Sequence, residues 1–243
     1  MTHSLLLSDL HLSADHAPSS ALFERFITDH APQAEALYIL GDLFEYWAGD
    51  DDLDTPFHHG ICAALHRLGT HGTRLFILHG NRDFLMGERL AEACRAVLLP
   101  DPVLLDLYGT ATLLTHGDAL CTDDTAYQRF RAEVRSEHWR AAFLAQPLAL
   151  RHAQIGELRA QSEQSKRIKA MDIMDVNDTA VAALLRQHHY PRLIHGHTHR
   201  PACHLHEVDG LRCERWVLGD WDSGNARLLR ADETGLHWLT IGR

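Results

Sequence analysis

The chain has 243 residues, 45% of them hydrophobic, and a formal net charge of −10 with histidine counted as neutral. This length suffices for one larger α/β domain that buries its own core, and the ordinary composition excludes a disordered or fibrous protein. The acidic balance argues against a protein that wraps nucleic acid over much of its surface. The cysteine spacing suggests no disulfide framework, and no apolar run approaches the roughly 20 residues of a membrane span, so we expect a cytoplasmic protein.

The first two hundred residues alternate short apolar runs with longer amphipathic stretches, which is the pattern of an α/β architecture. Buried strands are predicted at 5–7, 37–40, 75–78, 113–114 and 193–194. Helices are predicted at 19–30, 56–70 and 87–95. From about residue 201 the pattern changes to short strands at 203–208, 212–219, 225–231 and 235–241. We expect these four strands to form a second sheet stacked on the first.

Residues 123–170 differ from the rest because they are helical in pattern and rich in arginine and lysine within an acidic chain. The sequence therefore predicts one domain over residues 1–243 with a helical insertion, or lid, at about 123–170. Within it, residues 141–150 are apolar but too short to cross a bilayer. Either they form a slot for an apolar ligand, or they fill the core of an ordinary helical hairpin.

Each predicted strand of the first part ends directly in polar or glycine-rich residues. In open α/β sheets, ligands gather outside the carboxyl ends of the strands, where loops from separate strands converge. Any one of these fragments alone could be a simple turn or a hydrogen-bonded histidine. Five in order, each at a strand end, make that interpretation implausible. The candidate ligands that they carry are Asp9, His11, Asp42, Asn81, His116, His197 and His199.

Carboxylate, imidazole and amide oxygen together suit Mn²⁺, Zn²⁺ or Fe²⁺ rather than Ca²⁺ or a thiolate-bound metal. Seven ligands are too many for one tetrahedral ion but suit two ions with one bridging aspartate. A metal pair about 3.5–4 Å apart clamps the attacking and leaving oxygens of an in-line displacement at phosphorus. The sequence therefore predicts a two-metal hydrolase of phosphorus esters or anhydrides.

The order of these motifs resembles the calcineurin-like metallophosphoesterases, whose pattern runs D-x-H, G-D, G-N-H-D, H-G-D and G-H-x-H. The resemblance implies an α/β fold, specifically a four-layer αββα sandwich. It implies that the first metal takes Asp9, His11, Asp42 and His199. The second metal would take Asp42, Asn81, His116 and His197.

One position departs from the family pattern, since Arg82 stands where the family has a histidine that protonates an alkoxide leaving group. Arginine, with a pKa above about 12, cannot donate a proton in turnover. It can stabilise charge through a planar fork of donors that suits phosphate oxygens. Arg82 therefore favours an anhydride substrate, whose phosphate leaving group needs no proton.

A closer resemblance, over nearly the whole chain, is to the UDP-2,3-diacylglucosamine hydrolases of lipid A biosynthesis. It rests on long matches at 37–45, 79–85, 116–118 with 120–124, 173–177 and 194–201. It implies cleavage of a pyrophosphate by two Mn²⁺ ions, giving UMP and 2,3-diacylglucosamine 1-phosphate, peripherally at the cytoplasmic face of the inner membrane. The implied catalytic residues are Asn81, Arg82 and His116. The implied substrate contacts are Asn81, Arg82, Asp124, Ser162, Lys166, Lys169 and His197, with Lys166 standing where some relatives have asparagine.

Two other functions remain open. Another calcineurin-like phosphodiesterase or phosphatase would act on a nucleotide or phosphodiester, and a binding module would keep the fold without turnover. The intact set of seven candidate ligands argues against a binding module without turnover. Other polar clusters are not assigned to the site: Asp50–Asp52 is expected to be a solvated loop rather than a third metal site, and His195 is expected to support the site without binding metal. The pairs His58–His59 and His188–His189, and Cys203 with His204 and His206, have no partners at useful spacing.

Overall fold

The computed structural model describes residues 2–168, 175–221 and 225–242, and for 161–168 it describes the backbone only. The strands are β1 (Ser4–Leu7), β2 (Ala36–Leu40), β3 (Arg74–Leu78), β4 (Ala96–Leu98), β5 (Val103–Leu107), β6 (Thr110–Thr115), β7 (Arg192–His195), β8 (Ala202–Val208), β9 (Leu211–Val217), β10 (Ala226–Asp232) and β11 (Gly235–Ile241). The helices are α1 (Ala17–Asp29), α2 (Pro56–Thr70), α3 (Glu88–Cys94), α4 (Thr125–Val134), α5 (Glu137–Leu144), α6 (Leu148–Ile168) and α7 (Asp178–Gln187). The predicted strands and helices of the first part are therefore confirmed within a few residues.

The strands form two sheets, and their membership differs from the prediction. One sheet has the order β11-β10-β1-β2-β3-β4 and the other the order β5-β6-β7-β9-β8. The expectation that the four C-terminal strands form a sheet of their own is wrong. Strand β10 pairs antiparallel with β1 and brings β11 with it, while β9 pairs parallel with β7. The reason lies in β10, whose adjacent Leu228 and Leu229 are both fully buried, so both of its faces need a covering layer.

Side-chain alternation along the strands builds four layers. In β1, Leu5 and Leu7 pack against the layer of α1, α2 and α3, whereas Leu6 points into the core between the two sheets. On the other sheet, Leu193 of β7 packs outward with Val181 of α7. Each such leucine contributes about 1.5–3 kcal/mol when fully buried. The predicted α/β fold, a four-layer αββα sandwich, is confirmed.

Helices α4, α5 and α6, called here the three-helix segment, stand between β6 and α7. Asp124 caps α4 by accepting a hydrogen bond from the Tyr127 backbone N–H at 3.0 Å. The fully buried Asp118 then accepts from Arg131 Nε at 2.8 Å and from the Tyr127 hydroxyl at 2.7 Å. These contacts fix the segment to the loop after β6. That it serves as a lid on a single domain stays a prediction. Within the described ranges, every helix is too short or too polar to cross a membrane.

The acidic run Asp50–Asp52 also attaches this segment, and the expectation of a solvated loop is wrong. These residues lie in a short 3-10 helix over Asp50–Asp54. Asp50 accepts from the Gly87 backbone N–H at 2.8 Å, at the start of α3. Asp51 pairs with the buried Arg151 of α6, and the fully buried Asp52 pairs with His152 at 3.1 Å. Asp52 is buried and Asp50 partly buried because the run joins α3 to α6, while Asp51 remains exposed.

Candidate active site

The predicted metal ligands converge at the carboxyl ends of β1, β2, β3, β6 and β7. At one end of the cluster, Asn81 Oδ1 lies 3.0 Å from His116 Nε2 and 2.8 Å from His197 Nδ1. At the other end, His199 Nε2 lies 3.2 Å from Asp9 Oδ1 and 3.4 Å from His11 Nε2. Each end therefore combines oxygen with imidazole nitrogen.

Asp42 lies between the two ends of this cluster. Its Oδ2 is 3.8 Å from His11 Nε2 and also 3.8 Å from His116 Nε2. Its Oδ1 accepts a hydrogen bond from the Arg82 backbone N–H at 2.8 Å. Two triads in the described part of the chain have ligand atoms close enough to share an ion, namely Asp9–His11–His199 and Asp9–Asp42–His116.

The backbone at the cluster adopts a conformation that side chains usually avoid. Five of the seven candidate ligands have positive φ, between 48° and 68°. Such residues cost energy and persist where the surrounding structure holds them, typically at functional sites. These ligands are Asp9, His11, Asp42, His197 and His199.

Two glycines allow the ligand loops to approach one another. A Cβ on Gly80 would lie 2.0 Å from Asp42 Oδ1, and a Cβ on Gly196 would lie 2.4 Å from Asp9 Oδ2. Neither distance is compatible with a side chain. The Gly-Asn and Gly-His motifs thus bring backbone directly against the two carboxylates.

The two buried carboxylates, of Asp9 and Asp42, need positively charged partners. Asp9 is 0% and Asp42 2% exposed, and a buried charge requires a partner. Burial opposes the charge of His116, but Asp42 and Asp9 outweigh it and raise the pKa of His116 to about 9. Burial lowers the pKa of His197 to about 4, with the neighbouring His116 adding to the effect. Buried carboxylates among imidazoles and an amide oxygen fit divalent transition-metal ions well.

A cavity of about 650 Å³ extends from this cluster to the three-helix segment. At the cluster it is bounded by His11, Asp42, Asn81, His197 and His199. Farther out its wall is largely apolar and aromatic, formed by Phe84, Leu85, Phe130, Val134, Trp139, Phe143, Ile155 and Leu158. Trp139 and Phe143 stack with their ring centres 4.6 Å apart. One continuous cavity therefore joins a charged end to an apolar end.

Known proteins with similar sequences identify the family. A family model described as calcineurin-like phosphoesterase matches residues 3–201. The chain belongs to this family. It is 55% identical to a UDP-2,3-diacylglucosamine hydrolase of Aromatoleum aromaticum, over 96% of this chain and 94% of the relative. Proteins of the same name from Edwardsiella ictaluri and Pseudomonas paraeruginosa are 46% and 49% identical, covering 98% and 90% of this chain and 92% and 90% of the relatives.

Membership makes this protein a metallophosphoesterase, and such enzymes use divalent metal ions. The clustered carboxylates and imidazoles are the candidate ligands. Of the predicted substrate contacts, Asn81, Arg82, Asp124 and His197 line the cavity. The structure describes the backbone of Ser162 and Lys166 in α6 but not their side chains, and Lys169 lies outside the described residues.

Glu45 is a residue of this phosphoesterase that the sequence interpretation missed. Its Oε2 lies 3.0 Å from His11 Nδ1, and its Oε1 lies 3.3 Å from Arg82 Nη1 and also pairs with Arg159 of α6. Burial alone would raise the pKa of Glu45, but the His11 hydrogen bond and the two arginine charges lower it to about 2. Glu45 therefore orients a candidate ligand and holds two guanidinium groups at the cavity wall.

Asp83 connects two ligand loops from behind. Its carboxylate accepts from the backbone N–H groups of Gly80 and Leu43, each at 2.8 Å. Burial and the nearby charge of Asp42 raise the pKa of Asp83 to about 7. Asp83 ends the stretch Gly-Asn-Arg-Asp, which corresponds to the G-N-H-D motif of the family pattern, so the sequence marked this position without indicating its role.

Three histidines that the sequence analysis did not assign to the site, His195, His58 and His206, lie outside the ligand cluster. His195 is fully buried outside the ligand cluster, with Arg215 Nη1 donating to its Nε2 at 3.2 Å. Burial and the Arg215 charge lower the pKa of His195 to about 3, which supports a neutral, structural imidazole. His58 is held by a backbone contact, since its Nδ1 lies 3.1 Å from the Asp52 backbone oxygen. His206 likewise accepts from Arg215 Nε at 2.9 Å.

Proposed function

We propose that this protein hydrolyses the pyrophosphate bond of UDP-2,3-diacylglucosamine, giving UMP and 2,3-diacylglucosamine 1-phosphate in lipid A biosynthesis. The observation that carries the proposal is the cavity of about 650 Å³ that joins the candidate metal ligands to an apolar wall. A substrate with a charged diphosphate and two acyl chains matches both ends. The names of the curated relatives support the same substrate.

The apolar end supports binding of acyl chains by the three-helix segment. Burial of each methylene group contributes about 0.8 kcal/mol. Phe143, from the apolar run 141–150, lines the cavity. Most other residues of the run are exposed, Leu144 and Leu150 among them, which argues against a hairpin that buries the whole run in itself. The slot is completed by Phe130 and Val134 from α4 and by Ile155 from α6.

Two Mn²⁺ ions are the proposed cofactors, each held by one end of the ligand cluster. Asp9, His11, Asp42 and His199 would hold one ion, and Asp42, Asn81, His116 and His197 the other. The equal distance of 3.8 Å from Asp42 Oδ2 to His11 Nε2 and to His116 Nε2 supports Asp42 as the shared ligand. Bound divalent ions supply an activated water and neutralise charge on phosphate oxygens.

The chain's own residues orient and stabilise the diphosphate. Arg82 and Arg159, both fixed by Glu45, line the cavity beside the cluster and support binding of the anionic oxygens. Asn81 and His116, whose Oδ1 and Nε2 atoms lie 3.0 Å apart, are with Arg82 the proposed catalytic residues. Arg82 stands where the family pattern has a proton-donating histidine, and a phosphate leaving group needs no such donor. Asp124, Ser162, Lys166 and Lys169 remain proposed contacts for the sugar and its phosphates.

The substrate's acyl chains also lead us to propose peripheral association with the cytoplasmic face of the inner membrane. Leu144 and Leu150 in the three-helix segment are 39% and 48% exposed. Much of the predicted basic charge, however, is directed inward: Arg151 is 2% exposed, and Arg131 pairs with Asp118. The apolar residues, more than the arginines, support this contact.

The test is an assay of purified protein with Mn²⁺ and UDP-2,3-diacylglucosamine, in which UMP and the lipid phosphate are both quantified. A generic phosphodiester and a nucleotide are assayed beside it. We expect the UDP-lipid to give by far the highest kcat/KM, with both products in equal amounts. A higher kcat/KM for the phosphodiester would favour the alternative function, a general phosphodiesterase or phosphatase.

A further inference from the structure

A second cavity, of about 400 Å³, lies beside the ligand cluster. Most of it is formed by the loop between β1 and α1, by the first turns of α1 and by the residues after β9. Its described wall comprises Asp9, Leu10, His11, Ser13, Asp15, His16, Ser19, Glu45, Arg159, Asp220 and Trp221. The volume falls within the range of about 300–1,000 Å³ that small-molecule sites occupy.

The two cavities share part of their walls. His11, Glu45 and Arg159 line both. A ligand whose phosphates contact the cluster at His11 can therefore extend into either cavity. Because Glu45 fixes His11 and Arg159 together, this shared wall is built by an ion-pair network.

The second cavity differs in character from the apolar one. It carries carboxylates at Asp15 and Asp220, hydroxyls at Ser13 and Ser19, and the His16 imidazole. A substrate with two unlike ends on one diphosphate requires two unlike sites. We propose that the second cavity binds the ribose and uracil of UMP, while the first holds the lipid half. This inference rests on the proposed function, since it assigns the other end of the same substrate.

Charge distinguishes a nucleoside from other occupants. Asp15 and Asp220 would repel a further phosphate, whereas ribose hydroxyls and the uracil N3–H donate hydrogen bonds that carboxylates accept. Asp220 already accepts from His199, whose Nδ1 is 3.3 Å away, which leaves Asp15 as the main acceptor. The Trp221 indole N–H is buried and has no acceptor among the described residues. Because Trp221 lines this cavity, its N–H is a candidate donor to a uracil carbonyl.

The test measures binding of UMP and of inorganic phosphate to the Mn²⁺-loaded protein by calorimetry. Asp15→Ala removes an exposed side chain, so the fold should be unaffected. Asp29→Ala, at the exposed end of α1, is the matched control with the same change of charge. We expect Asp15→Ala to weaken UMP binding about tenfold, the effect of losing a hydrogen bond to a charged acceptor. Phosphate binding should stay within twofold, and Asp29→Ala should alter neither.

The direction of the change makes the test decisive. If Asp15 is only a nearby negative charge, its removal tightens UMP and phosphate alike, and that result overturns the inference. Unchanged UMP binding overturns it as well. Hydrolysis of the UDP-lipid by the wild-type protein is measured in parallel. If the wild-type protein hydrolyses the UDP-lipid but Asp15→Ala binds UMP as tightly as wild type, the nucleoside site is wrong and the proposed function stands.

Discussion

Replacement of Arg82 by alanine tests the anhydride chemistry directly, because the structure separates two roles of this residue. The Arg82 backbone N–H donates to Asp42 at 2.8 Å, and any side chain at this position retains that bond. The guanidinium instead lies 3.3 Å from Glu45 and lines the cavity. Glu45 keeps His11 and Arg159 as partners in the variant. Arg82→Ala therefore removes the guanidinium without leaving a buried carboxylate unpaired.

The expected loss follows from the role of a positioned donor. Removal of one such group from a site of charge development costs about 10²–10³-fold, or about 2.7–4 kcal/mol. We expect this loss in kcat/KM for the UDP-lipid. Arg82→Lys should recover part of it, because lysine retains the charge and loses the planar fork. Arg82→His should recover little on the anhydride but raise activity on a phosphodiester with an alkoxide leaving group.

The assay compares kcat/KM for both substrates across wild type and the three variants, because this ratio reports transition-state stabilisation. Arg89→Ala is the matched control, since the Arg89 side chain is 56% exposed and pairs with the exposed Asp54 at 3.7 Å. It should behave as wild type. Should Arg82→Ala retain UDP-lipid activity within about twofold of wild type, the account of arginine at this position is wrong.

Three further changes test the surroundings of the site. Glu45→Ala should weaken Mn²⁺ binding by about 10–100-fold by releasing His11, and unchanged affinity in a metal titration would count against that contact. Asp118→Asn should increase hydrogen exchange over α4 and raise KM for the UDP-lipid, because breaking a buried ion pair costs about 3–5 kcal/mol. Asp209→Asn, which breaks an exposed pair with Arg186, should leave hydrogen exchange over α4 at the wild-type level. In flotation with anionic liposomes, replacement of Leu144 and Leu150 by serine should reduce membrane binding, and equal flotation would exclude this contact surface.

The convergence of the seven candidate ligands was predictable from the sequence because strand ends impose a simple geometry. Apolar runs such as Leu75–Leu78 mark buried strands, and the polar residues directly after them must meet at one edge of the sandwich. All seven candidate ligands do converge there. The left-handed backbone at Asp9 and Asp42 was not predictable, because it depends on the folded loops that hold each residue.

Long-range pairing explains what the sequence did not reveal. The assignment of β10 to the first sheet depends on its register with β1, where Leu5 pairs with Arg230. Glu45 reaches His11 because the loops after β1 and β2 run side by side, joined by the Leu12–Phe44 bridge. The sequence around a single glutamate in a loop does not indicate a contact with a distant histidine. Asp52 likewise is buried through contacts with residues distant in sequence, among them His152 of α6.

The central claim, hydrolysis of a phosphoric anhydride by a two-metal site, is tested most directly by Mn²⁺ titration of metal-free protein. Bound Mn²⁺ per chain and the rate of UMP release from UDP-2,3-diacylglucosamine are measured together. We expect no UMP release without metal and full activity only as about two ions bind per chain. Asp42→Ala should lower kcat by at least about 10²-fold, because Asp42 lies between both ends of the cluster. Full UMP release by the metal-free protein would contradict the account.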